Sequence, residues 1–403
     1  MQTSRIFFIS FLICLISSLA TAQQLNPGDV SPTAKAIEAD YLFPFYMGAA
    51  VIKKGEAYAM IDKEGNFIVP FKPSIIAHLS GTYSKETNGV FFTVNGLNDI
   101  VNAKGKLITE GLKVYSWGPS EDGKLIAANL ICIDENGQKY TLKSPLGYIV
   151  DGIGIFREPS SNKIGFKSIK DEWIVKPAYD EAEPFSNGMA CVGKKNEFGE
   201  IKYGFIDKSG KELIPLMYSR KPENFYGGLA RVEPKDQTDF REAFIDKKGT
   251  VVKKFSQLSS FVYIGNGLYF SKAGLMDSTG VIVTQDELLQ RFGVSPSSAK
   301  ENIVFQFGAT APMYNNGKIC FRRNSKGEAS KFGFIDLKTK AVVEGTFENY
   351  ITAPFKFSDP VSKLSPAQFN VSGKQFEKTA IRKGYINEQG IFVIVVKGAT
   401  SQW

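Results

Sequence analysis

Along most of the chain a short apolar run stops at Asp, passes two variable residues and a Gly, and returns to apolar positions. Gly204-Phe205-Ile206-Asp207-Lys208-Ser209-Gly210-Lys211-Glu212-Leu213-Ile214-Pro215 and Met60-Ile61-Asp62-Lys63-Glu64-Gly65-Asn66-Phe67-Ile68-Val69-Pro70 are the fullest copies. Phe244-Ile245-Asp246-Lys247-Lys248-Gly249 and Gly333-Phe334-Ile335-Asp336 repeat the first half, and weaker forms centre on Asp134, Asp277, Asn102 and Asn387. A degenerate copy runs from Gly165-Phe166 to Pro177, giving about nine units mostly about 31 to 40 residues apart, a period typical of propellers and solenoids. The phrase predicts a hairpin: Asp or Asn bonds the backbone two residues on, and Gly supplies the positive φ of a tight turn.

About twenty residues earlier stands a second phrase, Phe185-Ser186-Asn187-Gly188-Met189-Ala190-Cys191-Val192 and Phe225-Tyr226-Gly227-Gly228-Leu229-Ala230-Arg231-Val232, which predicts a Gly turn followed by a strand. Each full unit therefore reads as three short strands, for example Met189 to Val192, Tyr203 to Asp207 and Lys211 to Leu216. In the middle strand Tyr203 and Phe205 take one face and Gly204 and Ile206 the other, so neither face suits water and neighbouring units must cover both.

With these two phrases in hand, the chain resembles the WG-repeat family of bacterial proteins. That family's pattern is approximately Lys-Trp-Gly-Tyr/Phe-Ile-Asp-x-x-Gly-Lys-x-Val/Ile-Ile-Pro, preceded by Phe-x-x-Gly-Leu-Ala-x-Val, and Phe185 to Pro215 looks like a near-complete copy. Tyr203, Phe332 and Lys383 stand where the family has its Trp. The resemblance is strongest over residues 160 to 255, and extends to 43 to 71 and 331 to 345. It implies export and a β-rich repeat fold, with no particular chemistry attached.

Composition agrees with short strands and tight turns. The 403 residues include 38 Gly, 13% are aromatic, and a hydrophobic content of 43% excludes a disordered chain. Residues 1–22 read as a signal peptide: one positive charge near the start, an apolar core from Ile6 to Leu19, and Ala20-Thr21-Ala22 before the cleavage point. That core, about 14 residues, is shorter than the ~20 needed to span a bilayer. Residues 23–40 read as a linker, 41–283 as the main repeat array, 284–308 as a helical insertion and 309–403 as C-terminal repeats with a loop insertion.

The insertions announce themselves as breaks in rhythm. Asp277 and Asp336 lie 59 residues apart, and Thr284 with Glu287 forms a capping box that predicts a short helix ending at Gly293. A second expansion, 51 residues from Asp336 to Asn387, is broken by Pro354, Pro360 and Pro366. Insertions in repeat proteins often carry binding function, so these two are the leading places to seek specificity.

Candidate chemistry is sparse. His78 is the only histidine, and no Gly-x-Ser-x-Gly elbow, zinc-binding His pair, P-loop or Cys-x-x-Cys is present. Paired carboxylates suited to glycoside hydrolysis occur as Asp171-Glu172 and as Asp180, Glu181 and Glu183. Each turn offers one carboxylate, where a calcium site gathers several oxygen ligands. Cys132, Cys191 and Cys320 are spaced without a disulfide framework. The formal charge of +8 is spread as Lys in turns, a solvated surface whose alternative use is an anionic polysaccharide or acidic partner, not nucleic acid. Tyr203, Tyr226, Trp173 and Trp117 are candidate sugar-stacking platforms, with Trp117 the best placed for exposure.

These observations set the expectations. The fold is all-β: tandem antiparallel sheets of three or four strands arranged like a propeller, with an open β-solenoid as the alternative because nine units exceed the usual 4 to 8 blades. The protein is expected to be an exported (periplasmic, outer-surface or secreted), non-enzymatic binding module for a protein or polysaccharide. No cofactor, metal, catalytic residue or membrane span is assigned. A carbohydrate-active hydrolase and a structural or assembly protein of the envelope are the alternatives.

Overall fold

The computed structural model describes residues 25–397 apart from 80–90, 96–98, 111–117, 121–123, 129, 234–239, 297–300, 306–313, 316, 327, 329, 349–358, 360 and 373–380. The strands form nine small sheets, here blades 1 to 9 in chain order. Blade 5 shows the plan: Glu181–Ala182, Met189–Lys195, Ile201–Asp207 and Glu212–Tyr218, each hydrogen-bonded antiparallel to the next. The unit is thus a four-stranded blade, within the three or four strands expected, although the two phrases mark only three of them. The strand missed is the first, which in blade 5 is only two residues long and too short for any alternation to register.

The second and third strands are buried on both faces, as Met189–Gly193 and Tyr203–Ile206 show, because each blade is covered by two neighbours. Nine apolar clusters fill the spaces between successive blades. Phe205 and Ile214 of blade 5, for example, meet Phe225, Ala230 and Ile245 of blade 6. An open array of nine units has one interface fewer than it has units. Here the ninth cluster joins Leu42, Phe45, Ile52 and Ile61 of blade 1 to Tyr385 and Ile394 of blade 9. The array is therefore a closed nine-bladed β-propeller, and the solenoid alternative is set aside.

Closure uses residues 23–40 in a way their composition hides. This stretch, read as a linker because of Pro27-Gly28 and Ser31-Pro32, contains the strand Val30–Ile37. It adds to the outer edge of blade 9 in parallel with Phe392–Val396, where a Pro is tolerated as it is on any sheet edge. Tyr385 packs edge-on against Phe45, with ring centroids 4.8 Å apart, and its hydroxyl donates to the Phe43 carbonyl at 2.8 Å. Asp359 accepts hydrogen bonds from the amides of Gly48 in blade 1 (2.9 Å) and Ser362 (2.8 Å).

The helix forms as its capping box indicates, over Gln285–Arg291 with Thr284 as N-cap. It is built into the core: Leu288 is buried with Val294 and Phe305 between blades 7 and 8. Residues Asn302–Phe305, inside the stretch assigned to the insertion, are the first strand of blade 8. Among the described residues no helix is long and apolar enough to cross a membrane.

Chain direction fixes where the turns lie. In an antiparallel blade the turns from first to second and from third to fourth strand fall at the same end. Both glycine phrases therefore project from one face of the ring.

Candidate functional site

The repeated Asp-x-x-Gly is a structural element. Asp207 Oδ1 accepts from the amides of Ser209 (2.8 Å) and Lys211 (3.0 Å), and Asp246 Oδ1 from Lys248 (2.9 Å) and Thr250 (2.8 Å). Asn102 and Asn387 do the same with an amide oxygen. In blade 4 Ser168 is the acceptor, and Asp171 occupies the glycine position at φ +65°. Asp171 is thus a turn residue, neutralised by Lys167 at 2.9 Å and Lys143 at 3.5 Å. Among the described residues no three His, Cys, Asp or Glu side chains gather as metal ligands do.

These bonds favour the ionised carboxylate. The Ser209 hydroxyl, with the turn amides, holds Asp207 below its ordinary value. Burial pushes Asp277 upward, but the Thr279 hydroxyl together with the amides of Thr279, Val281 and Gly280 outweighs it and leaves it lowered too. A carboxyl whose folded-state pKa is depressed contributes stability that is full above its unfolded value of ~3.9 and lost as pH falls through the folded value. Urea midpoints are therefore expected to fall below about pH 4, and Asp207→Asn to lessen that fall, since Asn keeps one acceptor oxygen.

Glu172 is exposed on the same turn, while Asp180, Glu181 and Glu183 are engaged. Asp180 accepts from Lys163 Nζ (2.8 Å) and the Lys195 amide (2.9 Å), which hold it below the ordinary range. Glu183 and Glu181 converge on Lys221 Nζ, at 2.6 and 3.8 Å, and Glu181 accepts from the Tyr203 hydroxyl at 3.1 Å. His78 lies in the strand Ala77–Leu79, paired with Phe92. The three cysteines are buried, form no disulfide and lie in three different inter-blade clusters, and burial pushes the Cys191 thiol up to about 12. Of the candidate platforms, Tyr203 is buried in the core, Trp173 packs edge-on against Phe156 with Lys167 Nζ 4.4 Å from its ring, and Trp117 lies outside the described residues. Tyr226 is different, because it lines a pocket.

That pocket, about 440 Å³, opens between blades 6 and 7. Blade 6 has three strands, Leu229–Val232, Glu242–Asp246 and Val251–Phe255. Where its neighbours place a first strand, it has a segment tethered by the Glu223 amide donating to the Arg231 carbonyl at 2.9 Å. Tyr226, Phe244, Phe261, Tyr263 and Tyr269 form the aromatic wall, and Glu223, Asn224, Arg231 and Ser260 the polar rim. The rings of Tyr226 and Tyr263 are nearly parallel, 19° apart in plane with centroids at 6.0 Å. Tyr269 is fixed from behind, its hydroxyl donating to the Tyr226 carbonyl and accepting from the Leu229 amide at 3.2 Å.

Two sequence departures build this site. Glu242 stands where blade 5 has Tyr203, and it is fully buried. It accepts from the Ser259 hydroxyl and lies 3.5 Å from Arg231, whose other nitrogen pairs with Glu223. Arg231 is thereby held between two carboxylates, Glu223 at the rim and Glu242 buried behind it. Gly227 stands where blade 5 has Asn187, at a similar φ of +57° against +52°. A Cβ on Gly227 would lie 2.2 Å from the Tyr263 ring, so the bare backbone makes the seat for that tyrosine.

Fold and site together define a nine-bladed β-propeller with a ligand-sized, tyrosine-walled pocket between two blades. Two of its units, residues 164–198 and 203–236, match the family model described as WG containing repeat, so the chain carries WG-type repeats. Among curated proteins none matches it. Solved structures that it resembles include the uncharacterized protein lmo1340 from Listeria monocytogenes EGD-e (11% identity, 62% of this chain and 97% of that one, TM-score 0.30). Another is a putative TolB from Agrobacterium tumefaciens (13% identity, 47% and 83%, TM-score 0.24). A third comes from a structural and mechanistic study of two prolyl endopeptidases (11% identity, 88% and 54%, TM-score 0.33). At these identities and scores no role passes from those proteins to this one.

Proposed function

We propose that the protein is an exported, non-enzymatic interaction module that receives a macromolecular ligand, protein or glycan, at the pocket between blades 6 and 7. The observation that carries this reading is a local departure in blade 6: it lacks the first strand of its neighbours, it buries Glu242 where blade 5 has Tyr203, and a pocket opens beside them. Sequence positions that weaken an otherwise regular array without a structural gain are where function is expected. The leader-like residues 1–22 support export.

The ion pairing of the candidate acids supports a non-enzymatic role. A general acid needs a raised pKa, and Asp180 is shifted the other way by Lys163. Closure of the ring also removes the end units through which an assembly protein of stacked repeats would grow.

The test is a pull-down from envelope and glycan extracts, using the full chain and its Gly227→Asn variant. Asn tolerates the left-handed backbone at this position, so the added side chain displaces Tyr263 while the turn survives. Retention of a partner by the parent chain and its loss in the variant is the expected result. Equal retention by both places binding elsewhere.

A further inference from the structure

Resting on that reading of the pocket as the ligand seat, we infer that it takes a neutral saccharide, one or two rings of a glycan chain. A sugar ring presents an apolar C–H face and a rim of hydroxyl groups that both donate and accept, and the pocket offers the complement of each. The Tyr226–Tyr263 pair supplies an aromatic wall, an amphipathic surface suited to one apolar face and one wet edge. At the rim Glu223 accepts and the Arg231 guanidinium donates, held together by their ion pair, so neither must be ordered on binding. Asn224 Oδ1 is screened from solvent and accepts no hydrogen bond, an unsatisfied acceptor that a ligand hydroxyl would satisfy.

Size and charge narrow the choice further. A volume of about 440 Å³ falls within the ~300–1,000 Å³ of small-ligand pockets, and so suits a short unit of a chain. Arg231, the cation among the lining residues, is already held by Glu223 and by the buried Glu242, so a phosphate or uronate group would find no unpaired positive charge there. An apolar peptide side chain would strip water from Glu223 and leave Asn224 Oδ1 unsatisfied, returning no hydrogen bond to either.

The experiment is calorimetric titration of the full chain with cellohexaose, maltohexaose, laminarihexaose and chitohexaose, against hexagalacturonate and a lysine-rich peptide. At least one neutral oligosaccharide is expected to bind saturably at or below about 1 mM. Gly227→Asn and the milder Glu223→Gln are each expected to weaken it about tenfold or more, with unfolding midpoints close to the parent's. Absence of binding by all four neutral sugars, or tighter binding of the uronate or peptide, overturns the inference. Treating the pull-down extract separates the two proposals. If pocket-dependent retention survives periodate cleavage of sugar diols and is lost to protease, the module reading stands and the saccharide falls. If no retention depends on the pocket, both fall.

Discussion

Deleting Asn26–Ile37 is expected to cost the ring most of its stability and to leave a chain that self-associates. The segment's own bonds show why. The Gly28 amide donates to the Gly390 carbonyl, the Phe392 amide to Asp29 and the Lys397 amide to Ile37, at 2.9, 2.9 and 2.7 Å. Lys35, Ala36 and Ile37 run in register with Ile394, Val395 and Val396. Ile37 is buried in the cluster that joins blades 9 and 1, and Val30 packs on the one that joins blades 8 and 9. Burial of an Ile or Val side chain contributes roughly 2 kcal/mol, and each ladder bond about 1 kcal/mol. The sum is comparable with the ~5–15 kcal/mol by which a domain is stable at all. The vacated edge of Phe392–Val396 would also present unpaired backbone groups to another copy. Urea unfolding and light scattering check both effects, and a synthetic peptide spanning Asn26–Ala39, added in trans, is expected to restore the midpoint. An unchanged midpoint in the deleted chain would show that the blade 1 to blade 9 core closes the ring by itself.

This strand illustrates what the sequence conceals. The turn phrase is legible because its chemistry is local: one Asp or Asn, two amides and a Gly within five residues decide it, and the count of nine follows. Val30–Ile37 has no such signature, since its partner is more than 350 residues away and its Pro reads as a breaker until the edge position is known. Short first strands such as Glu181–Ala182 fail for a related reason, being defined by neighbours and not by alternation. The pocket was half visible. Tyr226 stood among the candidate platforms, but Tyr263 and Tyr269 reach it from the next blade. The readable clue was the alignment of Glu242 with Tyr203, a carboxylate at a position whose side chain packs in the core in blade 5. The insertions drew attention for their length, yet the helix within one of them serves the core through Leu288.

Gly204→Ala is expected to destabilise the protein by about 3 kcal/mol, at the upper end of what overpacking costs. The reason is the register of the fourth strand. Tyr203 pairs with Tyr218 and Phe205 with Ile214, so Gly204 alone faces Pro215, Leu216 and Met217. Three residues opposite one bow the strand toward the glycine, and a Cβ there would stand 2.4 Å from the Ile214 carbonyl oxygen and 2.6 Å from that of Pro215. Both obstacles are backbone, so relief requires moving the strand. Gly165 faces Lys176, Pro177 and Ala178 in the same way in blade 4, with the Val175 oxygen at 2.5 Å. Blades 1 and 6 carry Ala at this position, and their registers differ: Ala59 faces two residues, and Ala243 pairs one-to-one with Lys254. The reciprocal change Ala243→Gly should cost only ~1 kcal/mol, the ordinary penalty of glycine in a strand. Denaturant midpoints of the two variants separate the terms. A cost below about 1 kcal/mol for Gly204→Ala would mean that the bowed strand of blade 5 relaxes to the blade 1 register, and that the glycine is not held there by the carbonyls it faces.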